Sequence, residues 1–206
     1  MKHPGVLGLL LLLGACSSAG DPADSFSNPA IAAAYVPLDA SKDLIFTAHG
    51  AGVVIGRDIA VTNAHNANLI DPDAIVGTSM QYDLMFFHTF GGAPLPTAKP
   101  WVSEEVVAYG QGTSGGLRIA RGRVTALDAP VVARCASCDV QHAFTFEGNA
   151  GPGFSGGPVV DATTGKLVGI VFGFNDEAGG GRLIYAFDMD RVQRELALTR
   201  GRPVAH

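Results

Sequence analysis

Cysteine is scarce in this sequence, with three among 206 residues, at positions 16, 135 and 138. That is too few for a small domain stapled by disulfides. Basic residues are outnumbered, 14 Lys and Arg against 19 Asp and Glu, for a formal net charge of -5. Without a basic field to neutralise phosphates, a nucleic-acid partner is excluded. Charged residues make up only 16% and hydrophobic residues 47%, which excludes a disordered chain and a coiled coil. Long apolar runs are also missing. The N-terminal stretch from Val6 to Leu13 is too short to cross a bilayer. What the chain has in quantity is turn residues, 27 Gly and 12 Pro, between short apolar segments. Its length suits one domain.

The Val6–Leu13 run follows Lys2 and has the size of a secretory signal core. It ends in Leu13-Gly14-Ala15-Cys16, which resembles a bacterial lipobox. By that resemblance residues 1–15 are a lipoprotein signal peptide, Cys16 is the lipidated mature N-terminus, and the protein is held in the bacterial cell envelope with a membrane as partner. Residues 16–40 are rich in Ser, Ala, Asp, Asn and Pro and read as a flexible tether. The body is then residues 41–206. Cys135 and Cys138 form a C-x-x-C pair, which can be a redox centre, half a zinc site or a local disulfide. No second Cys or His cluster completes a metal site, and the following Val140–Phe146 alternates like a strand, so a small disulfide is the expected state and no cofactor or metal is implied.

Along the body, Ala51–Ile55, Ile59–Thr62, Asp83–Phe87, Glu105–Tyr109, Arg118–Leu127, His142–Phe146, Pro158–Val160, Leu167–Phe172 and Leu183–Phe187 are β-branched or aromatic runs with turn punctuation. That rhythm predicts an all-β fold. One helical period stands out near the C-terminus. Met189, Val192 and Leu196 share a face, Asp188 caps the start, and Gly201 with Pro203 ends it.

Three segments carry chemistry. Ala60-Val61-Thr62-Asn63-Ala64-His65 is a strand feeding a small-residue turn that presents a histidine, the residue type suited to a general base. Asp83 heads the apolar strand Leu84-Met85-Phe86-Phe87, where a carboxylate needs a donor such as the ring N–H of His65. Asp71 and Asp73 compete for that role, but they lie six and eight residues after His65, leaving little chain to return an acid to the far side of the ring. In Gly151-Pro152-Gly153-Phe154-Ser155-Gly156-Gly157-Pro158, glycines flanking a serine let the N–H groups of Gly153 and Ser155 converge beside the hydroxyl as an oxyanion hole. Gly-x-Ser-x-Gly also occurs in α/β-hydrolases, but there the serine opens a helix and the histidine comes last. Here Gly-Gly-Pro follows the serine and only 51 residues remain.

Together these motifs resemble the trypsin-like, chymotrypsin-fold serine peptidases, with the flavour of the bacterial HtrA-type branch and no added PDZ domain. The resemblance implies two perpendicular six-stranded β-barrels with a C-terminal helix. It implies a serine endopeptidase acting on protein or peptide substrates, with His65, Asp83 and Ser155 as triad. Phe154 stands where zymogen-activated members have an aspartate, so activation by a freshly cut N-terminus is not implied. The spacing from His65 to Asp83 is short for the family and implies trimmed hairpins in the first barrel. Phe172 occupies the region where many members place a serine near the acid, so backbone groups are expected to support Asp83. The substrate pocket maps onto Phe172, Gly173, Phe174 and Leu183, with Asn149 near its base. These residues imply a shallow apolar pocket for small or medium aliphatic side chains. The alternative function is that of a trypsin-like fold that has lost turnover and serves as a binding or scaffold lipoprotein. The sequence leaves oligomeric state open.

Overall fold

The computed structural model describes residues 19–43, 46–112, 115–131, 141–177 and 181–201. Cys16, Cys135 and Cys138 lie outside them. In chain order the elements are β1 (Asp21–Pro22), α1 (Pro29–Ala34), β2 (Tyr35–Asp43), β3 (Phe46–Gly56), β4 (Ile59–Asn63), β5 (Ile75–Ser79), β6 (Leu84–His88), β7 (Glu105–Gly110), β8 (Arg118–Val131), β9 (Gln141–Glu147), β10 (Pro158–Asp161), β11 (Leu167–Asp176), β12 (Arg182–Asp188) and α2 (Met189–Arg200). Two short 3-10 turns, Ala64–Leu69 and Pro72–Ala74, join β4 to β5.

The strands form two antiparallel sheets. In the second, the order β8-β7-β10-β11-β12-β9 closes on itself because β9 pairs back to β8, giving a six-stranded barrel with β1 added at one side of β8. Closure removes the free edges that an open sheet would expose. The first sheet has five strands, in the order β2-β3-β4-β6-β5. The fold is therefore the chymotrypsin-like pair of β layers with a C-terminal helix, but the first layer has five strands among the described residues where the resemblance implies six. After β6 the chain carries Gly91, Gly92, Pro94, Pro96 and Pro100. Proline has no N–H to give a ladder, so this stretch crosses to the second barrel as irregular chain. It touches down at Thr97, which bridges to Leu167.

The expected tether over residues 16–40 is corrected by the structure from Ala19 onward. Asn28 caps α1 by accepting from Ala30 N–H at 2.8 Å, and Pro29 occupies the first turn. Ile31 is 1% exposed and Ala34 is fully buried, in one cluster with Val53, Val61, Leu84 and Phe86. Phe26 stacks on Tyr109 at 5.3 Å and contacts Tyr35 at 5.1 Å. β2 then pairs with β3 from Tyr35 to Asp43. The few large apolar groups in this polar stretch all reach the core. Burying one such side chain contributes roughly 1.5–3 kcal/mol, enough with a ladder of hydrogen bonds to offset the ordering entropy.

The predicted C-terminal helix is present as α2, with Asp188 accepting from Arg191 N–H at 2.9 Å. It returns from the second barrel to brace the first sheet. Buried Ser79 Oγ on β5 donates to Glu195 Oε2 at 2.7 Å. A Cβ at Gly77 would collide with Thr199, so glycine permits the close approach. Arg191 Nη1 donates to Tyr82 OH at 2.7 Å, and its guanidinium lies 4.4 Å from the centre of that ring. The helix thus steadies the turn that carries residue 83.

Candidate active site

β4 is buried along its whole length and delivers Asn63, Ala64 and His65 to the rim between the two layers. β6 pairs with β4 from Ile59↔His88 to Asn63↔Leu84, so the residue just before β6 must arrive beside the residue just after β4. That residue is Asp83. Its φ is +48°, a left-handed conformation that Asp adopts more readily than most side chains. In that conformation its carbonyl accepts from Ala64 N–H at 2.8 Å and Asn63 Nδ2 at 3.2 Å. Its carboxylate grips His65 twice, Oδ1 accepting from the backbone N–H at 2.9 Å and Oδ2 from ring Nδ1 at 2.6 Å. The backbone support expected for Asp83 is thus the N–H of His65 itself. Since a carboxylate only accepts, Nδ1 carries a proton, and in the neutral ring this tautomer leaves the lone pair on Nε2. Asp71 is turned to another task, capping the Pro72–Ala74 turn through Asp73 N–H at 3.0 Å.

Ser155 sits on the loop between β9 and β10. Gly153 has φ +89° and Gly156 +81°, and a Cβ on Gly153 would lie 2.6 Å from Gly112 N. These two glycines are required by both conformation and space. The loop folds on its own hydrogen bonds, Phe154 N–H to Gly151 O at 3.0 Å and Gly157 N–H to Phe154 O at 2.8 Å. Neither Gly153 N–H nor Ser155 N–H finds an acceptor among the described residues, which leaves both donors available beside the serine. Phe154, fully buried with Ala150, Ile184 and Phe146 in the barrel core, anchors the loop from below.

The serine loop is tied to the histidine turn by its main chain. Ser155 O accepts from Ala51 N–H at 3.1 Å and from Asn66 Nδ2 at 3.0 Å. Asn66 is 6% exposed and also donates to Thr62 Oγ1 at 3.0 Å, which in turn donates to Ala51 O at 2.7 Å. The structure therefore brings His65, Asp83 and Ser155 to one rim. No hydrogen bond joins the His65 ring to the Ser155 hydroxyl among the described residues. Asn66 does not stand out in the sequence. Its one signal is its place next to the histidine.

β11 leaves from beneath the serine, Gly156 N–H donating to Val171 O and Val171 N–H to Gly157 O, each at 2.9 Å. Of the residues mapped to a pocket, Phe172 turns inward onto Phe187, 4.9 Å between centroids, and Gly173 opposite Tyr185 has open space beside it. Phe174 is exposed, with the Arg182 guanidinium 4.3 Å from its centre. Arg182 Nη1 also donates to Ala150 O at 2.9 Å and Nε to Asp176 at 2.7 Å, so this side chain, unforeseen from the sequence, spans from β12 to the start of the serine loop. Leu183 is half-buried, paired with Glu147 of β9. Asn149 is exposed, and its amide is directed to Asp21 Oδ1 at 3.3 Å. Among the described residues no group of three His, Cys, Asp or Glu is placed to hold a metal ion.

Solved structures share this architecture. The Rv3671c protease from M. tuberculosis in its active form aligns with a TM-score of 0.67 at 20% identity, over 100% of this chain and 97% of that one. The MamO protease domain from Magnetospirillum magneticum gives 0.64 at 16% identity, over 81% and 97%. The HtrA-type protease AlgW with tripeptide gives 0.64 at 18%, over 84% and 62%. No curated protein sequence matches the chain. The family model described as "Trypsin-like peptidase domain" matches residues 68–170, half of the sequence, with Asp83 and Ser155 inside the match. The chain belongs to the trypsin-like peptidase domain family.

Proposed function

We propose that this chain is a serine endopeptidase that hydrolyses peptide bonds in proteins through an acyl-enzyme. The observation that carries the reading is the two-point hold of Asp83 on His65, at 2.6 and 2.9 Å, beside a serine whose carbonyl is pinned by the next residue, Asn66. Ser155 Oγ attacks the scissile carbonyl while His65 Nε2 takes its proton. Asp83 keeps the ring in the required tautomer and stabilises the imidazolium. The N–H groups of Gly153 and Ser155 receive the oxyanion. The imidazolium then protonates the leaving amine, and water, activated by His65, releases the acid product. Bonds between base and nucleophile commonly shorten only when substrate is bound, which accommodates the lack of a bond between the His65 ring and the Ser155 hydroxyl.

For the side chain before the cut, the open space beside Gly173, next to the exposed Phe174, supports a shallow apolar pocket taking small or medium aliphatic residues. A cleavage profile dominated by Lys or Arg would overturn that preference. The lipobox-like Leu13–Cys16 supports a lipid anchor on Cys16 in the bacterial envelope, read by mass spectrometry of the native N-terminus. The same spectra, with and without reductant, test a Cys135–Cys138 disulfide.

The missing hydrogen bond between His65 and Ser155 favours one second reading, a trypsin-like fold without turnover. A fluorophosphonate probe separates the two. Labelling that disappears in Ser155→Ala and His65→Ala supports the peptidase, and an unlabelled wild-type protein of intact fold supports the silent scaffold.

A further inference from the structure

Three hydrogen bonds meet at Gln111, a residue with no part in the proton transfers above. Its side chain is 3% exposed, and Nε2 donates to Leu38 O at 3.0 Å and to Gly50 O at 2.7 Å. Its backbone N–H donates to Gly153 O at 3.1 Å. One residue thus holds the main chain of β2 and β3 in the five-stranded sheet and, with its own backbone, the oxyanion glycine above the six-stranded barrel. Both amide hydrogens are used, so no donor of this buried group is left over.

The surrounding sequence is shaped to allow the contact. Gln111 lies between Gly110 and Gly112. A Cβ on Gly110 would come 2.6 Å from Phe154 Cγ, and the space beside Gly153 is closed by Gly112. The serine loop therefore rests on bare backbone, and the only side chain of the trio points the other way, into the first sheet. Within the loop, the Gly153–Phe154 peptide is held at both ends, its carbonyl by Gln111 and its N–H by Gly151 O at 3.0 Å. The preceding Pro152–Gly153 peptide, which carries one of the two oxyanion donors, makes no hydrogen bond of its own among the described residues. Its placement depends on the glycine being fixed from the other side.

We propose that Gln111 is the positioning residue of the oxyanion hole, setting where the Gly153 N–H points by locking the serine loop to the first sheet. The proposal rests on the peptidase reading. An oxyanion donor acts only when it lies about 2.7–3.1 Å from the developing charge, and a misplacement of about 1 Å can cost a hundredfold in rate. A lock between the layers also couples the hole to His65, because β3 bears on Asn66 through Gly50, whose Cβ would come 2.9 Å from Asn66 Nδ2.

Gln111→Met keeps length and volume and removes both donors. The expected result is kcat lowered at least about tenfold with KM within about twofold, since the lost interaction is made in the transition state. A peptide aldehyde, whose adduct with Ser155 places its oxygen in the hole, should lose affinity by a similar factor, while a cleaved product peptide binds as before. A merely structural role would lower the thermal midpoint and leave kcat per titrated site and aldehyde affinity unchanged, and that result overturns the proposal. Should the Met variant fail to fold, Gln111→Asn, too short to reach both carbonyls, is measured by kcat and aldehyde affinity in the same way. A fall in both supports the positioning role, and unchanged values overturn it. A wild-type protein that neither cleaves peptides nor takes a fluorophosphonate would instead fell the peptidase reading, and this proposal with it.

Discussion

Asp83 holds His65 by two atoms at once, ring Nδ1 at 2.6 Å and backbone N–H at 2.9 Å, while its own carbonyl is held by Ala64 N–H. The acid therefore fixes both the tautomer of the imidazole and the position of its backbone. Asp83→Asn retains one acceptor oxygen but turns an NH₂ group toward the ring or the amide, so the imidazole loses its protonated Nδ1. Hydrolysis of a peptide substrate should fall by roughly 10⁴ with the fold preserved. Asp71→Asn should leave kcat unchanged, because Asp71 acts as the cap of a 3-10 turn. The Asp71 variant also keeps a capping oxygen, so its thermal midpoint should stay close to wild type. Steady-state kinetics of the two variants side by side check the assignment of the acid, and a damaging Asp71→Asn would reverse it.

The residues legible in the sequence are those whose chemistry and local backbone agree. His65 at a strand end, Asp83 before an apolar strand and Ser155 among glycines are local patterns, and α2 announces itself by its period and its caps. The residues not legible act across the fold. Asn66 and Gln111 look like ordinary polar turn residues until the layers meet and their amides find Ser155 O, Leu38 O and Gly50 O. Arg182 reads as a strand-start cation, and its bond to Ala150 O forms only when the serine loop comes back beside β12. The stretch before Tyr35 misleads because composition averages over residues, whereas Phe26 and Ile31 are set at the places where α1 and its approach touch the core. β5 is hidden because Ile75–Ser79 is short, half-buried and interrupted by Gly77, which serves α2.

Gly20 has φ +68°, and a Cβ there would strike the Phe154 ring, with Phe154 Cε2 at 2.9 Å and Ile119 O at 3.0 Å. The N-terminal segment thus closes over the residue next to Ser155, and Arg118 Nη1 holds Gly20 O at 3.0 Å. Gly20→Val combines backbone strain with overpacking and should destabilise by about 1–3 kcal/mol. Because Phe154 must yield, fluorophosphonate labelling of Ser155 should slow as well. Gly91→Val is the control, with φ +81° but no atom within 4 Å of the added carbon. It should share the strain and leave labelling unchanged. Denaturant melts with labelling time courses read both effects, and equal labelling rates in the two variants would sever the N-terminal segment from the serine.

Glu104 is 1% exposed, in the turn where its Oε2 accepts from Trp101 N–H at 3.0 Å. Burial, aided by the neighbouring Asp161, pushes its carboxyl up to about 7, while Asp161, despite its own desolvation, is held below the usual range by Thr164, Glu104 and Thr163. Protonated Glu104 can donate to Asp161. A carboxyl whose pKa is higher in the fold than in the unfolded chain favours the fold at low pH. Its contribution is complete below pH 4.5 and is lost as the pH rises through about 7. Glu104→Gln keeps the donor and cannot ionise, so it should raise the thermal midpoint at pH 8.5 by several degrees, given roughly 2–4 °C per kcal/mol for a domain of this size. At pH 4.5 variant and wild type should melt together. Thermal melts from pH 4.5 to 8.5 measure the difference, and a gap that is constant across that window, or one that opens toward acid, would show that Glu104 stays ionised in its buried turn.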